Sequence, residues 1–408
     1  MRIDLVSEHA NPLAALGGVD AGGQNVHVAA LASGLAQRGH EVTVCTRRDD
    51  PDVADEVLVP DGYVVAHLAA GPPTDVPKDD LLPHVPEIAD RLLERWSADP
   101  PDLAHSHFWM SGLAASAAAR VIGVPLVHTF HALGTVKRRH QACRDTSPTD
   151  RIALEAGLCG AVDQVIATCR DEVAELTAMG LSPNRVSVVP CGVDTDHFTP
   201  TPQPGNSPPR VLVVGRLVER KGIADVVTAL AALPGVELLV AGGPSPDGLA
   251  LDPEALRLHA LAESLGVGDR VRLLGSIDHA RVPELVASVD VVVSVPWYEP
   301  FGIVPLEAMA CARPVVASAV GGLQDTVVPG TCGELVPPRR PDLLAGTLRS
   351  LLADDGRRAA YGAAGLRRVH EHYRWDRVCA DTERVYDRVL RRATATAASA
   401  ASAGAVTR

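Results

Sequence analysis

Short β-branched runs alternate with alanine- and leucine-rich stretches along most of the 408 residues, interrupted once by Pro200-Thr-Pro-Gln-Pro-Gly-Asn-Ser-Pro-Pro209. Such alternation is the pattern of parallel sheets covered by helices. In the first half, residues 3–6, 41–46, 62–67, 102–105, 125–130, 164–168 and 186–189 read as strands. A helix over 24–38, with Gly39 as its C-cap before the next strand, makes one βαβ step. The five prolines of the interruption forbid both helix and ladder, so it reads as a linker.

After the linker the alternation restarts. Strands are expected at 210–215, 236–241, 270–274, 291–295 and 314–318, with helices at 223–233, 253–265, 282–288 and 303–312. An amphipathic helix over 375–392 closes the ordered chain, and the low-complexity tail 393–408 is expected to be disordered. The organisation is therefore an N-terminal α/β domain (1–199), the linker (200–209) and a C-terminal α/β domain (210–374). The last helix is free to cross back to the first domain. Two Rossmann-like domains facing across a cleft, with ligands at the carboxyl ends of the strands, is the architecture this implies.

A formal net charge of −12 excludes nucleic acid as a partner, because phosphate backbones are bound by basic surfaces. The eight cysteines (45, 143, 159, 169, 191, 311, 332 and 379) form no CxxC and no zinc-like spacing, so they read as buried thiols of a reducing compartment. No run approaches the ~20 apolar residues of a membrane span. The N-terminus reads as a short strand rather than a signal peptide. The expected location is cytoplasmic.

The segment richest in chemistry is Glu299-Pro-Phe-Gly-Ile-Val-Pro-Leu-Glu307, at the start of a helix. Its first glutamate sits on the strand-to-helix loop, and the second lies about two turns further on. Between them, the amides of Gly302, Ile303 and Val304 lie at a helix N-terminus, an anion site. Two carboxylates flanking a phosphate site suit a ligand with hydroxyls on both sides of a diphosphate, which is the shape of a sugar nucleotide.

Three further segments belong with it. In Gly17-Gly-Val-Asp-Ala-Gly-Gly-Gln-Asn25, Gly22 and Gly23 let backbone approach a phosphate at the start of the first helix, although the spacing is not GxGxxG. In Gly215-Arg216…Lys221-Gly222, an arginine fork and a lysine charge follow a buried strand, suited to neutralising a diphosphate. His131 stands at the exit of the strand over 125–130, and His105 and His107 repeat that geometry one strand over. Asp194-Thr-Asp196 has the look of a metal-binding DxD, yet its position in a turn favours Asx-type hydrogen bonds. Lys137-Arg-Arg139 reads as a solvated basic turn, with an anionic acceptor or membrane surface as the other possibility.

Together with Cys191-Gly-Val-Asp194, these motifs resemble the retaining glycosyltransferases of family 4, which have the GT-B fold. Asp20-Ala-Gly-Gly-Gln-Asn25, Ser106-His-Phe-Trp109 and His131-Ala-Leu-Gly134 resemble the branch holding sucrose-phosphate synthases and mycothiol N-acetylglucosaminyltransferases. The resemblance implies transfer of a hexose or N-acetylhexosamine from a nucleotide diphosphate sugar to a sugar, cyclitol or glycolipid hydroxyl, with retention and without a metal or other cofactor. It implies that Arg216 and Lys221 hold the diphosphate, Glu299 the transferred sugar, Glu307 the ribose, and His131 the C6 end of the sugar. Gly22, Gly23, Gly302, Ile303 and Val304 would contact the donor through backbone. Asn25, Lys78 and Arg151 would meet the acceptor. Phe108 and Ala132 replace a tyrosine and a threonine of the mycothiol branch, removing two hydroxyl donors from a phosphorylated-inositol site. Other readings are a sugar-nucleotide 2-epimerase of the same fold, which needs acidic residues in domain one, and a catalytically silent nucleotide-sugar binder.

Overall fold

Eight strands, β1 (Arg2–Val6), β2 (Glu41–Arg47), β3 (Glu56–Leu58), β4 (Val64–Leu68), β5 (Leu103–His107), β6 (Leu126–Thr129), β7 (Gln164–Ala167) and β8 (Val186–Val188), form one sheet in a computed structural model. The structure describes residues 1–14, 22–200, 202, 205 and 207–406. The sheet order is β3-β4-β2-β1-β5-β6-β7-β8, with only the edge strand β3 antiparallel to its neighbour β4. Because strand order reverses between β1 and β5, their carboxyl ends frame the crevice where ligands bind in open α/β sheets.

A second sheet is parallel throughout, in the order β11-β10-β9-β12-β13-β14. Its strands are β9 (Arg210–Val214), β10 (Glu237–Ala241), β11 (Val271–Gly275), β12 (Val291–Ser294), β13 (Val315–Ser318) and β14 (Gly333–Val336). Here the order reverses between β9 and β12. Val211, Leu212, Val291, Val292 and Val293 are fully buried, as expected of strands covered on both faces.

Among the described residues the chain divides into two compact units, one built from 1–14, 22–190 and 375–406 and the other from 191–374. The proline-rich segment expected as a linker thus begins inside the second unit. Two carbonyls anchor it there: Pro202 accepts from the Arg313 guanidinium at 2.8 Å, and Pro209 accepts from the Glu237 amide at 2.9 Å. The closing helix belongs to the first unit. Its Val385, Tyr386 and Val389 pack with Val28, Leu31 and Leu35 of the helix Gly23–Gln37.

That closing helix spans Trp375–Val406, which corrects the expectation of a stop at Arg392 and a disordered tail. Low complexity here means alanine, the strongest helix former, so nothing in the composition ends the helix. Strands β3 and β14, both short, were not anticipated.

Candidate functional site

Loops leaving β9 and β12 meet in the second unit. After β9 the chain passes Gly215 and Arg216, makes a short turn over Glu219–Lys221, and enters the helix Ile223–Leu230 through Gly222 in the left-handed region. A Cβ on Gly222 would lie 2.1 Å from the Val295 carbonyl, so only glycine lets the two loops touch. The Trp297 amide then donates to the Arg220 carbonyl at 2.8 Å. The result is that Lys221 Nζ donates to Glu299 Oε2 at 2.6 Å, with both side chains mostly buried. Burial alone would raise the Glu299 carboxyl, but Lys221 and Arg220 outweigh it and hold the group below the usual range.

From Glu299 the chain reaches the helix Ile303–Ala310 through Gly302, also left-handed at φ +79°. The loop after β13 supports this turn, because the Gly322 amide donates to the Glu299 carbonyl at 2.9 Å. A Cβ on Gly321 would stand 2.2 Å from that same oxygen. Glu307 is half-buried on the helix, and burial pushes its carboxyl up to about 7. Hydrogen-bond donors brought to this carboxyl would favour its charged form. Arg216 is exposed at the mouth of the same turn. The structure therefore gathers Lys221, Glu299, Glu307 and the amides of Gly302, Ile303 and Val304 beside the β9/β12 switch point.

In the first unit, parallel pairing sets His107 of β5 opposite Thr129 of β6, so the strand exits lie side by side. His131 follows with φ +62°, and the Ala132 amide closes a tight turn onto the Phe130 carbonyl at 2.7 Å. Holding a non-glycine residue there costs about 1–3 kcal/mol and is typical of functional positions. His131 Nε2 is 2.9 Å from His107 Nδ1. His27 packs edge-on against His131, with ring centroids 5.2 Å apart, and burial lowers its imidazole to about 4. Gly22 caps the helix Gly23–Gln37, and a Cβ there would meet nothing within 4 Å among the described residues. The rest of that loop, residues 17–21, lies outside the described residues.

His105 is structural. The Thr129 hydroxyl spends its proton on the Ile166 carbonyl, so it accepts from His105 Nε2, and His105 Nδ1 accepts from the Tyr386 hydroxyl at 2.7 Å. That bond ties the closing helix to β5.

On the acceptor side, local partners hold two of the three expected residues. Asn25 is 3% exposed, and its amide accepts from the Gly22 N–H and donates to the Asn11 carbonyl. Arg151 is 2% exposed, with bonds to Glu155 at 2.7 Å, the Ala132 carbonyl at 2.6 Å and Ser147 at 3.2 Å. Both turn inward because local partners claim them: Asn25 completes a capping box, and Glu155 lies one helical turn from Arg151. Lys78 opens a short turn and is half-buried.

The basic turn is charge-balanced, since Lys137 pairs with Asp79 and Asp145, Arg138 with Asp145, and Arg139 with Glu175. Asp194 accepts from the amides of Asp196 and His197, the Asx turn expected of it. No cluster among the described residues is arranged to hold a metal ion. No helix among them is long and apolar enough to cross a membrane.

Two features escaped the sequence reading. The Gly321-Gly322 pair cradles the Glu299 backbone, and a double glycine shortly after a strand was the available signal. The His107–His131 contact depends on cross-strand register, which spacing along the chain does not reveal.

Comparison with known proteins shows the family and the fold. A family model described as Glycosyltransferase Family 4 matches residues 21–197, and one described as Glycosyl transferases group 1 matches 196–368. A D-inositol 3-phosphate glycosyltransferase of Xylanimonas cellulosilytica is 37% identical over 96% of this chain and 97% of its own length. The counterpart from Kineococcus radiotolerans is also 37% identical, over 95% of each chain. Among solved structures, sucrose-phosphate synthase from Thermosynechococcus elongatus superposes with a TM-score of 0.87 at 33% identity, covering 95% of this chain and 98% of that one. Anabaena HepE, in complex with UDP and glucose, gives 0.74 at 21% identity over 95% and 99%, a likeness of fold.

Proposed function

The chain belongs to glycosyltransferase family 4, and on that premise we propose that it moves a hexose or N-acetylhexosamine from a nucleoside diphosphate sugar to an acceptor hydroxyl, with retention and without a metal. The observation that carries the reading is the Lys221–Glu299 pair beside Glu307 where β9 and β12 part.

In this mechanism Arg216 and Lys221 meet the negative charge that grows on the leaving diphosphate, aided by the amides of Gly302, Ile303 and Val304. Fixed donors aimed at developing charge usually contribute more to catalysis than any other single effect. The bond from the anomeric carbon to the phosphate oxygen breaks, the acceptor oxygen bonds to the same face, and the departing phosphate takes the acceptor proton. Glu299, kept ionised by Lys221, accepts hydrogen bonds from the hydroxyls of the sugar and is not the nucleophile. This separates the reaction from the carboxylate pair of retaining glycosidases. Glu307 accepts from the ribose hydroxyls. To Gly22 and Gly23 we assign backbone contacts with the donor, and to His131 the C6 end of the sugar.

For the acceptor we propose a sugar, cyclitol or glycolipid hydroxyl whose recognition asks less of a phosphate site than inositol 3-phosphate would. Phe108 and Ala132 bring no hydroxyl donor, and Arg151 is already neutralised by Glu155. Each absent hydrogen bond to a charged group forfeits roughly 1.5–3 kcal/mol. Lys78 is the other acceptor-side cation of the set. We place the reaction in the cytoplasm, supported by the seven free, buried cysteine thiols among the described side chains.

The test is incubation with labelled UDP-, GDP- and ADP-sugars, with and without an acceptor panel that includes inositol 3-phosphate. The HepE complexes with UDP and UDP-glucose make UDP-sugars the first donors to try. A new glycoside formed only with acceptor, in the donor's anomeric configuration, supports the proposal. A new sugar nucleotide formed without acceptor, or no turnover with any donor, overturns it.

A further inference from the structure

Phe108 and His131 are two of the five non-glycine residues with left-handed backbone among the described residues, at φ +77° and +62°. They end neighbouring strands, Phe108 directly after β5 and His131 two residues after β6. Strain of this kind persists only where the surroundings over-determine it. The Phe108 amide donates to the Thr129 carbonyl at 2.9 Å, which constrains one exit. A single buried ion pair constrains both.

Arg151 and Glu155 stand one turn apart on the helix Arg151–Ala161 and are 2% and 0% exposed. The Arg151 guanidinium lies over the Phe108 ring, 5.1 Å from its centroid, and over the Trp109 ring at 5.7 Å. Its Nη2 donates to the carbonyl of Ala132, the residue after His131, at 2.6 Å. Its Nε donates to Glu155 Oε1 at 2.7 Å. The other carboxylate oxygen, Glu155 Oε2, accepts from the Gly134 amide at 2.8 Å. That amide is one of the orphan donors at the start of the helix Gly134–Gln141, so Glu155 caps it from another element. A Cβ on Gly134 would stand 3.1 Å from Arg151 Nε, so the turn packs directly on the pair. Residues 131–134 are thus held at a carbonyl by one partner and at an amide by the other.

Stability does not explain the pair. Burial raises the Glu155 carboxyl even with Arg151 in contact, so desolvation outweighs the attraction between the charges. Apolar side chains of similar volume would fill the same space. They would lack the donor for Ala132 and the acceptor for Gly134.

We propose that Arg151 and Glu155 are positioning residues that hold the strained exits of β5 and β6 and thereby set where the His131 ring is presented. Arg151 acts on the ligand site through that turn and does not touch the acceptor. The catalytic part of this inference rests on the glycosyl-transfer reading above, but the hold on the turn does not.

Full-length protein carrying Arg151→Met and Glu155→Leu together tests it. Removing one partner leaves a buried charge alone, whereas removing both leaves none, so the double variant should melt higher than either single variant. It should still lose the turn. The His131 ring signals, assigned through His131→Gln in ¹⁵N-histidine NMR, should move, and the Gly134 amide should exchange about tenfold faster, as expected for one lost hydrogen bond. With the active donor and acceptor of the panel above, kcat should fall by about tenfold while the acceptor KM moves little. Arg151→Lys keeps a charge beside Glu155 but has one nitrogen in place of the fork. In that variant Gly134 should stay protected, while the His131 signals move and kcat falls. Unchanged His131 signals in either variant overturn the proposal. So does a raised acceptor KM with unchanged kcat, the mark of direct acceptor contact. The lysine variant decides alone if the double variant does not fold. If no donor turns over, the functional reading fails separately, and the spectra still decide whether the pair sets the turn.

Discussion

Lys221 Nζ stands 2.6 Å from Glu299 Oε2, although the two residues are 78 apart in sequence. Adjacent parallel strands β9 and β12 bring their loops together, and Gly222 allows backbone contact between them. Each group prepares the other: the lysine keeps the glutamate ionised, and the glutamate holds the lysine in one place.

Lys221→Ala should therefore cost activity more than fold. Loss of one fixed donor facing a developing negative charge lowers turnover by about 10²–10³-fold. Removing the lysine also takes away the charge that lowers the Glu299 carboxyl, so that group should titrate at higher pH in the variant. Steady-state kinetics with the best donor, alongside a melting curve, check both parts.

Glu307→Gln should separate stability from binding. The folded carboxyl is raised to about 7, above its ordinary value of 4.5, so the native state binds more protons than the unfolded chain between those values. Native stability therefore falls as pH rises from 4.5 to about 7. An uncharged glutamine escapes that loss, and the variant should melt higher than wild type at about pH 8 and much the same at about pH 4. Nucleotide affinity should move the opposite way and weaken at the higher pH. Melting curves and calorimetry at the two pH values read both effects.

Gly222→Ala should destabilise the second unit. The residue has φ +71°, and its added methyl would meet the Val295 carbonyl at 2.1 Å. A cost of about 1–3 kcal/mol for the backbone alone is expected, with the clash adding to it. Denaturant unfolding measures the loss, and an unchanged midpoint would contradict the contact between the loops.

Much of this site could be read along the chain. The runs Val211-Leu-Val-Val214 and Val291-Val-Val293 announce buried parallel strands, and Glu299 and Glu307 flank a helix start by spacing alone. What spacing could not show is which polar groups would be claimed by local partners. Asn25 and Arg151 carry the right chemistry for an acceptor, yet a capping box and an i,i+4 carboxylate use it first. The proline-rich stretch is held in place for a related reason. Its prolines forbid regular structure, but their carbonyls still accept, and Arg313 and Glu237 supply the donors.

Tyr386→Phe should loosen the closing helix without touching donor chemistry. It deletes the hydroxyl that donates to His105 Nδ1 at 2.7 Å, leaving a buried acceptor unmet. A loss of about 1 kcal/mol is expected. Hydrogen exchange should show faster opening of 375–392, with kcat close to wild type.

Whether Lys221 and Glu307 line a nucleotide site is decided by calorimetric titration of UDP, GDP and ADP into wild type, Lys221→Ala and Glu307→Gln at about pH 8, where the Glu307 carboxyl is ionised. One nucleotide should bind the wild type at a single site per chain and bind both variants at least about tenfold more weakly, the worth of one hydrogen bond to a charged group. Equal affinity in all three proteins, or no binding by any nucleotide, would contradict that assignment.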